Sequence, residues 1–506
     1  MQLASLVKAL RTEKVWGDLE FDIQRVQYDS RKVEAGDCFF ALPGENVDGN
    51  RFVAKAIEAG ASAIVSERAP MGEPKVPWIE VENPRQALGL MANELSGRPS
   101  ANLAIVGVTG TNGKTTTAFL TRHLFEAAQR RCGLLGTVEY DTGARVIPAA
   151  RTTPESADVH ELFSEMVENG CRAAVMEVSS HGLEQHRVEG VEFNVGVFTN
   201  LSQDHLDYHG SMPEYFKAKK KLFLQLQGVD KAAMVVNGDD TWGQTLLRAD
   251  IDGVEAVSYG CGVSCDFRAT NIKVTFDGTT FALIAKGREI LVRLPYIGLF
   301  NVYNALAALA ATNAAGLNLR EAIQNLANGP QVPGRLESVA IDRPYHVFVD
   351  YAHTPDALEK AASTLRDLDP RRLITVFGCG GDRDREKRAP MAKAASEFSD
   401  AVILTSDNPR NEDPKQILAD AEKGILGASH TVIEDRAEAI NAAIDMARPR
   451  DVILIAGKGH ETYQQFADKT IDFDDRQVAR NAIARARDER IKEREERERE
   501  RELEQR

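Results

Sequence analysis

Residues 107–117 read GVTGTNGKTTT. An apolar run, Leu103 to Val108, precedes them and a helical pattern follows, so a strand ends in a glycine-rich turn whose backbone N–H groups can surround phosphate. Lys114 then stands where it can reach the β- and γ-phosphates of a nucleoside triphosphate, and the Thr115 hydroxyl where it can hold Mg²⁺. The common form of this motif has glycine five positions ahead of the glycine of the Gly-Lys pair. Here that position is Val108, and the glycines are Gly107, Gly110 and Gly113. A tight turn would account for the glycines, but not for a lysine followed by three threonines.

At 506 residues the chain is too long for one core of ordinary size, and at about 100–200 residues per domain it is expected to form about three. A hydrophobic content of 43% and a charged content of 27% are those of a globular protein, and no apolar stretch approaches the roughly 18 residues of a membrane helix. The opening MQLASLVKALRTEK has too short an apolar stretch and no small-residue cleavage site for a secretory signal, so a cytoplasmic protein is expected. The six cysteines, Cys38, Cys132, Cys171, Cys261, Cys265 and Cys379, form no disulfide framework. Cys261 and Cys265 have no second cysteine or histidine pair near them and read as part of a small β segment rather than a metal site. A net charge of −14 without a basic stripe argues against a nucleic-acid partner. Small-molecule partners, no membrane and a monomeric state are expected.

Up to Gly97, the strand-like stretches VQYDS, DCFFALPG and SAIVSE surround a helical FVAKAIEAGA. The segment ELSGRPSANL then reads as a linker. Apolar strands recur at Ala173 to Val178, Val195 to Phe198 and Ala233 to Val236 with helical patterns between them, the signature of a wound parallel sheet. After the helix NVYNALAALAATNAAG, the proline-glycine stretch GPQVPGR leads into another alternating region. Its strands lie at His346 to Val349, Leu373 to Phe377, Ala401 to Leu404 and Val452 to Ile455. The fold class is therefore α/β with three domains: a small N-terminal α/β domain (1–98), a central P-loop parallel-sheet domain (99–332) and a C-terminal Rossmann-like α/β domain (333–484). A charged helical tail (485–506) follows. It carries nine basic and nine acidic residues and lacks the apolar positions of a coiled coil, so it reads as a solvated helix supported by i,i+4 pairs and dispensable for chemistry.

Phosphoryl transfer needs further ligands, because Mg²⁺ prefers six oxygens and the developing charge must be met. Glu177 ends a buried strand in MEVSSHG and His205 follows another in FTNLSQDHLDYHG, both where an α/β sheet places ligands. Asp204 and Asp207 compete for the same role.

The loop GTNGKTT, the runs MEVSSHGLEQHRV and TNLSQDHLDYHG, the helical YFKAK, the segment GLFNVYNALAA, and the stretches PGRLE and VDYAHTPDALE together resemble the Mur ligases. The likeness runs from about Asp29 to about Arg476. It implies ATP-dependent amide-bond synthesis in peptidoglycan precursor assembly. The D-glutamyl γ-carboxylate of UDP-N-acetylmuramoyl-L-alanyl-D-glutamate attacks the γ-phosphate of ATP, and an incoming amine displaces phosphate from the resulting acyl phosphate. By the same likeness Gly110, Thr111, Asn112, Gly113, Lys114, Thr115 and Thr116 surround the ATP phosphates. The catalytic set is Lys114, Glu177, His205 and Lys219, and Thr115, Glu177, His205 and Lys219 serve the Mg²⁺ ions, Lys219 as a carbamylated lysine. Asn301 or Asn304 meets adenine, Arg335 the phosphates, and Asp350 with His353 the nucleotide.

The resemblance also implies a uridine site at Ser30 and at Glu45, Asn46 and Val47 of PGENVDG. The muramoyl dipeptide falls to Thr152, Thr153, Ser179, Gln185 and Arg187. Arg151 stands where relatives often carry a polar amide. The amine is chosen by Asp407, Asn408, Pro409 and Arg410 (DNPR), with Arg383, Gly457 and Glu461. Meso-diaminopimelate differs from lysine by a distal carboxylate, which a planar guanidinium at Arg410 can hold with two hydrogen bonds, while Glu461 suits the distal ammonium. The alternatives are the same nucleotide with L-lysine or another amino acid, a folylpolyglutamate synthase-like ligase, or a non-catalytic nucleotide-binding module.

Overall fold

The computed structural model describes residues 1–10, 12, 14–44, 47–339 and 343–488. Glu45, Asn46 and the tail from residue 489 onward lie outside the described residues. The rest forms two compact units. One comprises Met1–Asn271, Phe281–Arg293 and Phe300–Gly329; the other comprises Ile272–Thr280, Leu294–Leu299 and the chain from Pro330 onward.

Two sheets lie in the first unit. The smaller has five strands in the order Val15–Trp16, Trp78–Glu80, Ala63–Ser66, Asp37–Phe40 and Arg25–Gln27, parallel except at its Val15–Trp16 edge. Its middle strands are apolar and buried on both faces, as a helix-covered parallel sheet requires. Leu3, Leu6, Leu88 and Met91, from the helices Leu3–Leu10 and Pro84–Leu95, pack on one face, and Val53 and Ala56 on the other. Sequence reasoning had placed three strands and one helix here. The two helices, the short edge strand and Trp78–Glu80 complete the layer.

The second sheet has a parallel heart in the order Glu255–Gly260, Ala233–Asn237, Val195–Phe198, Ala104–Thr109, Ala173–Glu177 and Cys132–Leu135. The strand Ala104–Thr109, which feeds the phosphate loop, pairs with Ala173–Glu177 on one side and Val195–Phe198 on the other. Chain order reverses across it, and a crevice of this kind at the strands' carboxyl ends is where open α/β sheets bind ligands. The expected strands at residues 173, 195 and 233 agree with these bounds to one residue at each end.

In the second unit a sheet runs Glu337–Ser338, His346–Asp350, Asp451–Ala456, Arg372–Phe377, Ala401–Leu404 and Ser429–Val432, parallel after its antiparallel first pair. Val347, Val349, Ile374, Val376, Ile403, Ile453 and Ile455 form its core against the helix Arg436–Asp445. Among the described residues no helix is long and apolar enough to cross a membrane.

Candidate active site

The glycine-rich loop is built where only glycine fits. Gly110 has φ +143, and a Cβ there would lie 1.9 Å from the Thr199 hydroxyl; Gly113 has φ +85, and a Cβ there would lie 2.3 Å from Asn304 Oδ1. The odd glycine spacing thus follows from two neighbours pressing on the loop, one after the strand Val195–Phe198 and one on the helix Leu299–Ala314. The loop backbone is held from below: Thr111 N donates to Asn200 O (2.8 Å), Asn112 N to Asn200 Oδ1 (3.0 Å), and Thr199 Oγ1 to Asn112 O (2.6 Å). Lys114 begins the helix Lys114–Ala127, and its Nζ donates to Gly110 O (2.9 Å) and Thr111 O (2.8 Å), folded over the loop's own carbonyls.

Glu177 is fully buried at the end of its strand. Its Oε2 accepts from the Thr115 and Thr137 hydroxyls, each at 3.0 Å, and its Oε1 from Thr137 N at 2.8 Å. A hydroxyl and a carboxylate this close to a phosphate loop suit Mg²⁺, which is held by one or two carboxylates plus substrate phosphates and keeps several waters. Among the described residues no cluster of three His, Cys, Asp or Glu is disposed as a protein-only metal cage. The Thr115 hydroxyl and the Glu177 carboxylate are a donor set that fits magnesium.

Lys219 lies on the helix Met212–Leu224 and is 1% exposed. Its Nζ also donates to Gly110 O, at 2.9 Å, and sits 4.5 Å from the centre of the Tyr215 ring. Burial first, and then the Lys114 charge, hold its amine well below the ordinary lysine value, against a smaller pull from Asp204. Two lysines therefore share one carbonyl oxygen. His205 caps the turn Leu206–His209 with a left-handed backbone, φ 51. Its ring packs 4.9 Å from His181 and 6.1 Å from Tyr215, and Asp204 Oδ2 stands 3.4 Å from its Nε2. Partial burial lowers the imidazole below its usual value; Asp204 opposes this, while His181, Lys114 and Lys219 add to it. Asp207 is exposed.

Of the remaining expected contacts of this unit, the two asparagines, Thr152, Thr153 and Arg187 are linked to the loop helix or to Glu177 and its neighbours. Asn304 Nδ2 donates to Asn301 Oδ1 (3.0 Å), and Thr117 Oγ1 to Asn304 Oδ1 (3.4 Å), which puts both asparagines against the loop helix. Thr116 is buried beside them. Thr152 Oγ1 is 3.1 Å from Thr137 Oγ1, and Thr153 Oγ1 bonds Glu177 O (2.9 Å) and Ser179 Oγ (3.1 Å). Arg187 donates to Thr153 O (3.0 Å) and Gln185 Oε1 (2.6 Å). Ser30 lies in the turn beyond the strand Arg25–Gln27, and Val47 is exposed.

In the second unit two groups form. Asp350 accepts from Leu336 N (2.6 Å), and burial pushes its carboxyl up to about 6 against the opposing Arg335 charge. Arg335 lies 5.0 Å from the Tyr351 ring centre, and His353 Nδ1 bonds Tyr351 O (2.8 Å). The other group joins DNPR to the stretch GKGHE, Gly457 to Glu461. Asn408 Nδ2 and Lys458 Nζ both donate to Glu461 Oε2, at 2.9 and 3.0 Å, leaving Oε1 without a hydrogen bond among the described residues. Lys458 also donates to Asn408 Oδ1 (3.1 Å), Gln464 Nε2 to Asp407 O (2.8 Å), and a Cβ on Gly457 would lie 2.7 Å from Asp407 Oδ2. Arg410 has φ 53, and its Nη1 donates to Gly381 O (2.7 Å) beside the exposed Arg383. Pro409 is buried in the turn between them.

Sequence reasoning missed Thr137, Thr199, Asn200, Tyr215 and Lys458. Thr137 had a usable signal, a Gly-Thr pair directly after a strand parallel to that of Glu177. Thr199 and Asn200 begin a quoted motif, yet which loop they would support depends on strand order, which the sequence does not carry.

The sequence matches the family models described as Mur ligase family, catalytic domain (residues 22–95), Mur ligase middle domain (108–312) and Mur ligase, glutamate ligase domain (334–459). It is 46% identical over 465 residues to a UDP-N-acetylmuramoyl-L-alanyl-D-glutamate--2,6-diaminopimelate ligase of Solibacter usitatus, covering 91% of this chain and 94% of that protein. The like-named protein of Geobacillus thermodenitrificans is 46% identical over 473 residues, covering 92% and 96%. A solved structure of a ligase of that name superposes with a TM-score of 0.70 at 34% identity, covering 96% of this chain and 99% of the other. With these matches spanning the three larger sheets, the chain belongs to the Mur ligase family.

Proposed function

We propose that this chain is an ATP-dependent ligase joining meso-diaminopimelate to the D-glutamyl γ-carboxylate of UDP-N-acetylmuramoyl-L-alanyl-D-glutamate, a step in building peptidoglycan precursors. The observation that carries this reading is the convergence of Lys114 and Lys219 on the Gly110 carbonyl. A carboxylate and a triphosphate repel each other, so cations must meet them at the phosphate loop: Lys114 supplies one, and Lys219 beside it, as a carbamate, would help hold another, Mg²⁺. Magnesium, when bound, screens the charge on the phosphoryl oxygens. Thr115 and Glu177 are the residues that would hold it, with His205 and Lys219 completing the set.

The γ-carboxylate oxygen attacks the γ-phosphorus, ADP leaves, and Lys114 turns from its own loop carbonyls to the nucleotide phosphates. The amine then attacks the acyl carbon, a tetrahedral adduct collapses, and phosphate departs with the amine's proton lost to solvent or a neighbouring base. In this reading the Lys219 amine has combined with carbon dioxide, releasing a proton. The carbamate replaces an expensive buried cation beside Lys114 with oxygen donors. Asn301 and Asn304 face adenine, and Arg335, Asp350 and His353 serve the nucleotide. Ser30 and the loop with Val47 take uridine, and Thr152, Thr153, Ser179, Gln185 and Arg187 the dipeptide. Arg410 with Arg383 takes the distal carboxylate of the amino acid, and the open oxygen of Glu461 its distal ammonium. Six free thiols support a reducing compartment, and we place the monomeric enzyme in the cytoplasm.

The test is phosphate release from ATP, Mg²⁺ and the UDP-muramoyl dipeptide across a panel of amino acids. Release with meso-diaminopimelate alone is expected; equal release with lysine would overturn the amino-acid assignment, and release with a folate substrate the whole reading.

A further inference from the structure

The two arginines assigned to the distal carboxylate stand on separate loops of the second unit. Arg383 follows the strand Arg372–Phe377, and Arg410 follows the strand Ala401–Leu404. The loops meet backbone to backbone at a glycine: Gly381 N donates to Asn408 O (2.9 Å), and a Cβ on Gly381 would lie 1.8 Å from Pro409 O. Each loop also carries a non-glycine residue in the left-handed region, Asp382 (φ 52) and Arg410 itself (φ 53). Such a backbone is unfavourable and persists only where the surrounding structure over-determines it.

Glu412, two residues beyond Arg410, supplies that surrounding. Its Oε1 accepts from Asp382 N (2.6 Å) and from Arg388 Nη2 (2.9 Å). Its Oε2 accepts from the same Nη2 (2.9 Å) and lies 2.9 Å from Arg385 Nη2. Between them, Asn411 donates to Asp382 Oδ2 from N (3.2 Å) and from Nδ2 (2.7 Å). Arg388 is the anchor. It begins the helix Arg388–Phe398, is 1% exposed, and its Nη1 lies 3.1 Å from Asp420 Oδ2 on the helix Pro414–Glu422. A buried arginine set between two carboxylates is a fixed point, because parting it from either leaves charge uncompensated. Neutralising Arg388 does not require the bond from Asp382 N, which instead joins the Arg383 loop to the Arg410 loop.

We propose that Glu412, anchored by Arg388, is a positioning residue for amino-acid selection: it latches the two loops together and so fixes the guanidiniums that receive the distal carboxylate. The inference rests on the functional reading above. A guanidinium holds a carboxylate through two parallel bonds, so its hold depends on geometry as well as charge. A loop released from the latch keeps its arginine and loses that geometry.

The test is steady-state phosphate release by Glu412→Ala, Glu412→Gln and Asn411→Ala at saturating ATP and UDP-muramoyl dipeptide, with meso-diaminopimelate or lysine varied. Glu412→Ala is expected to raise the KM for meso-diaminopimelate roughly tenfold, with kcat and the KM for ATP unchanged. Lysine has no distal carboxylate, so its use should not change, and the preference for meso-diaminopimelate narrows by the same factor. Glu412→Gln should recover most of the loss, because its amide oxygen can still accept from Asp382 N. Asn411 is exposed, so Asn411→Ala leaves the fold intact, should move the same KM in the same direction, and decides the matter if Glu412→Ala does not fold. A wild-type KM for meso-diaminopimelate in every folded variant overturns the latch. A lowered kcat with every KM unmoved overturns it too, as the mark of a merely structural residue. Wild-type protein that releases no phosphate with meso-diaminopimelate overturns the functional reading, and this inference with it.

Discussion

Lys219 is a lysine without water around it, 1% exposed, 4.5 Å from an aromatic ring centre and bonded to the carbonyl that Lys114 also uses. As a plain ammonium it would be a costly choice for stability, since its burial is offset by one neutral acceptor and opposed by a like charge. Its replacement by alanine is expected to lower turnover by about a hundredfold or more while leaving the thermal midpoint undiminished. Excess bicarbonate should not restore activity, because the amine that would combine with carbon dioxide is gone. Phosphate release by the purified variant measures this, and a fully active Lys219→Ala protein would refute the role. Only the resemblance marks the position in the sequence: by pattern YFKAK reads as an ordinary amphipathic turn, and the burial comes from how the Met212–Leu224 helix meets the loop. Lys458 is the same case in the second unit, a lysine in a quoted motif whose zero exposure only packing reveals.

Among elements, those with a strong local pattern were legible. Parallel strands buried on both faces read as continuous apolar runs, so their bounds could be set to about a residue. Two-residue edge strands such as Val15–Trp16 carry too little pattern to be seen. The helix Ser156–Glu168 illustrates what pattern leaves out. His160 lies on its buried face and bonds Glu189 O at 2.8 Å through Nε2, tying the helix to the chain beyond Glu184, while Nδ1 has no hydrogen bond among the described residues. Burial lowers its pKa from 6.5 to about 4, against a smaller opposing effect of the Glu189 carbonyl. The folded value is below the unfolded one, so the unfolded chain binds the proton more tightly. Stability is whole above about pH 6.5, falls as pH drops toward 4, and by then has lost about 3 kcal/mol from this group. His160→Gln keeps an N–H for the carbonyl and cannot titrate. Between pH 7.5 and 4.5 its thermal midpoint should fall less than the wild-type midpoint, and parallel falls would show that the histidine is not the group responsible.

Across the whole molecule, the groups at the phosphate loop and those assigned to the amine belong to different compact units. Lys114, Thr115, Glu177 and Lys219 are joined through one loop and one carboxylate, whereas Asn408, Lys458 and Glu461 form a hydrogen-bonded group of their own, with Arg410 two residues further along the same turn bonded to Gly381 O. The two groups belong to separate compact units, and the two half-reactions should separate by mutation. With ATP, Mg²⁺ and the UDP-muramoyl dipeptide but no amino acid, hydroxylamine converts an acyl phosphate to a hydroxamate that can be counted. Arg410→Ala should give hydroxamate at the wild-type yield per enzyme, since the amine it selects takes no part in that step. Its KM for meso-diaminopimelate should rise about a hundredfold, because the distal carboxylate loses a bidentate partner, and lysine should be rejected less strongly. Lys219→Ala should give no hydroxamate whatever amine is supplied. Loss of hydroxamate in Arg410→Ala would mean that the amino-acid site is needed to activate the carboxylate, and that the division of labour drawn from the two groups is wrong.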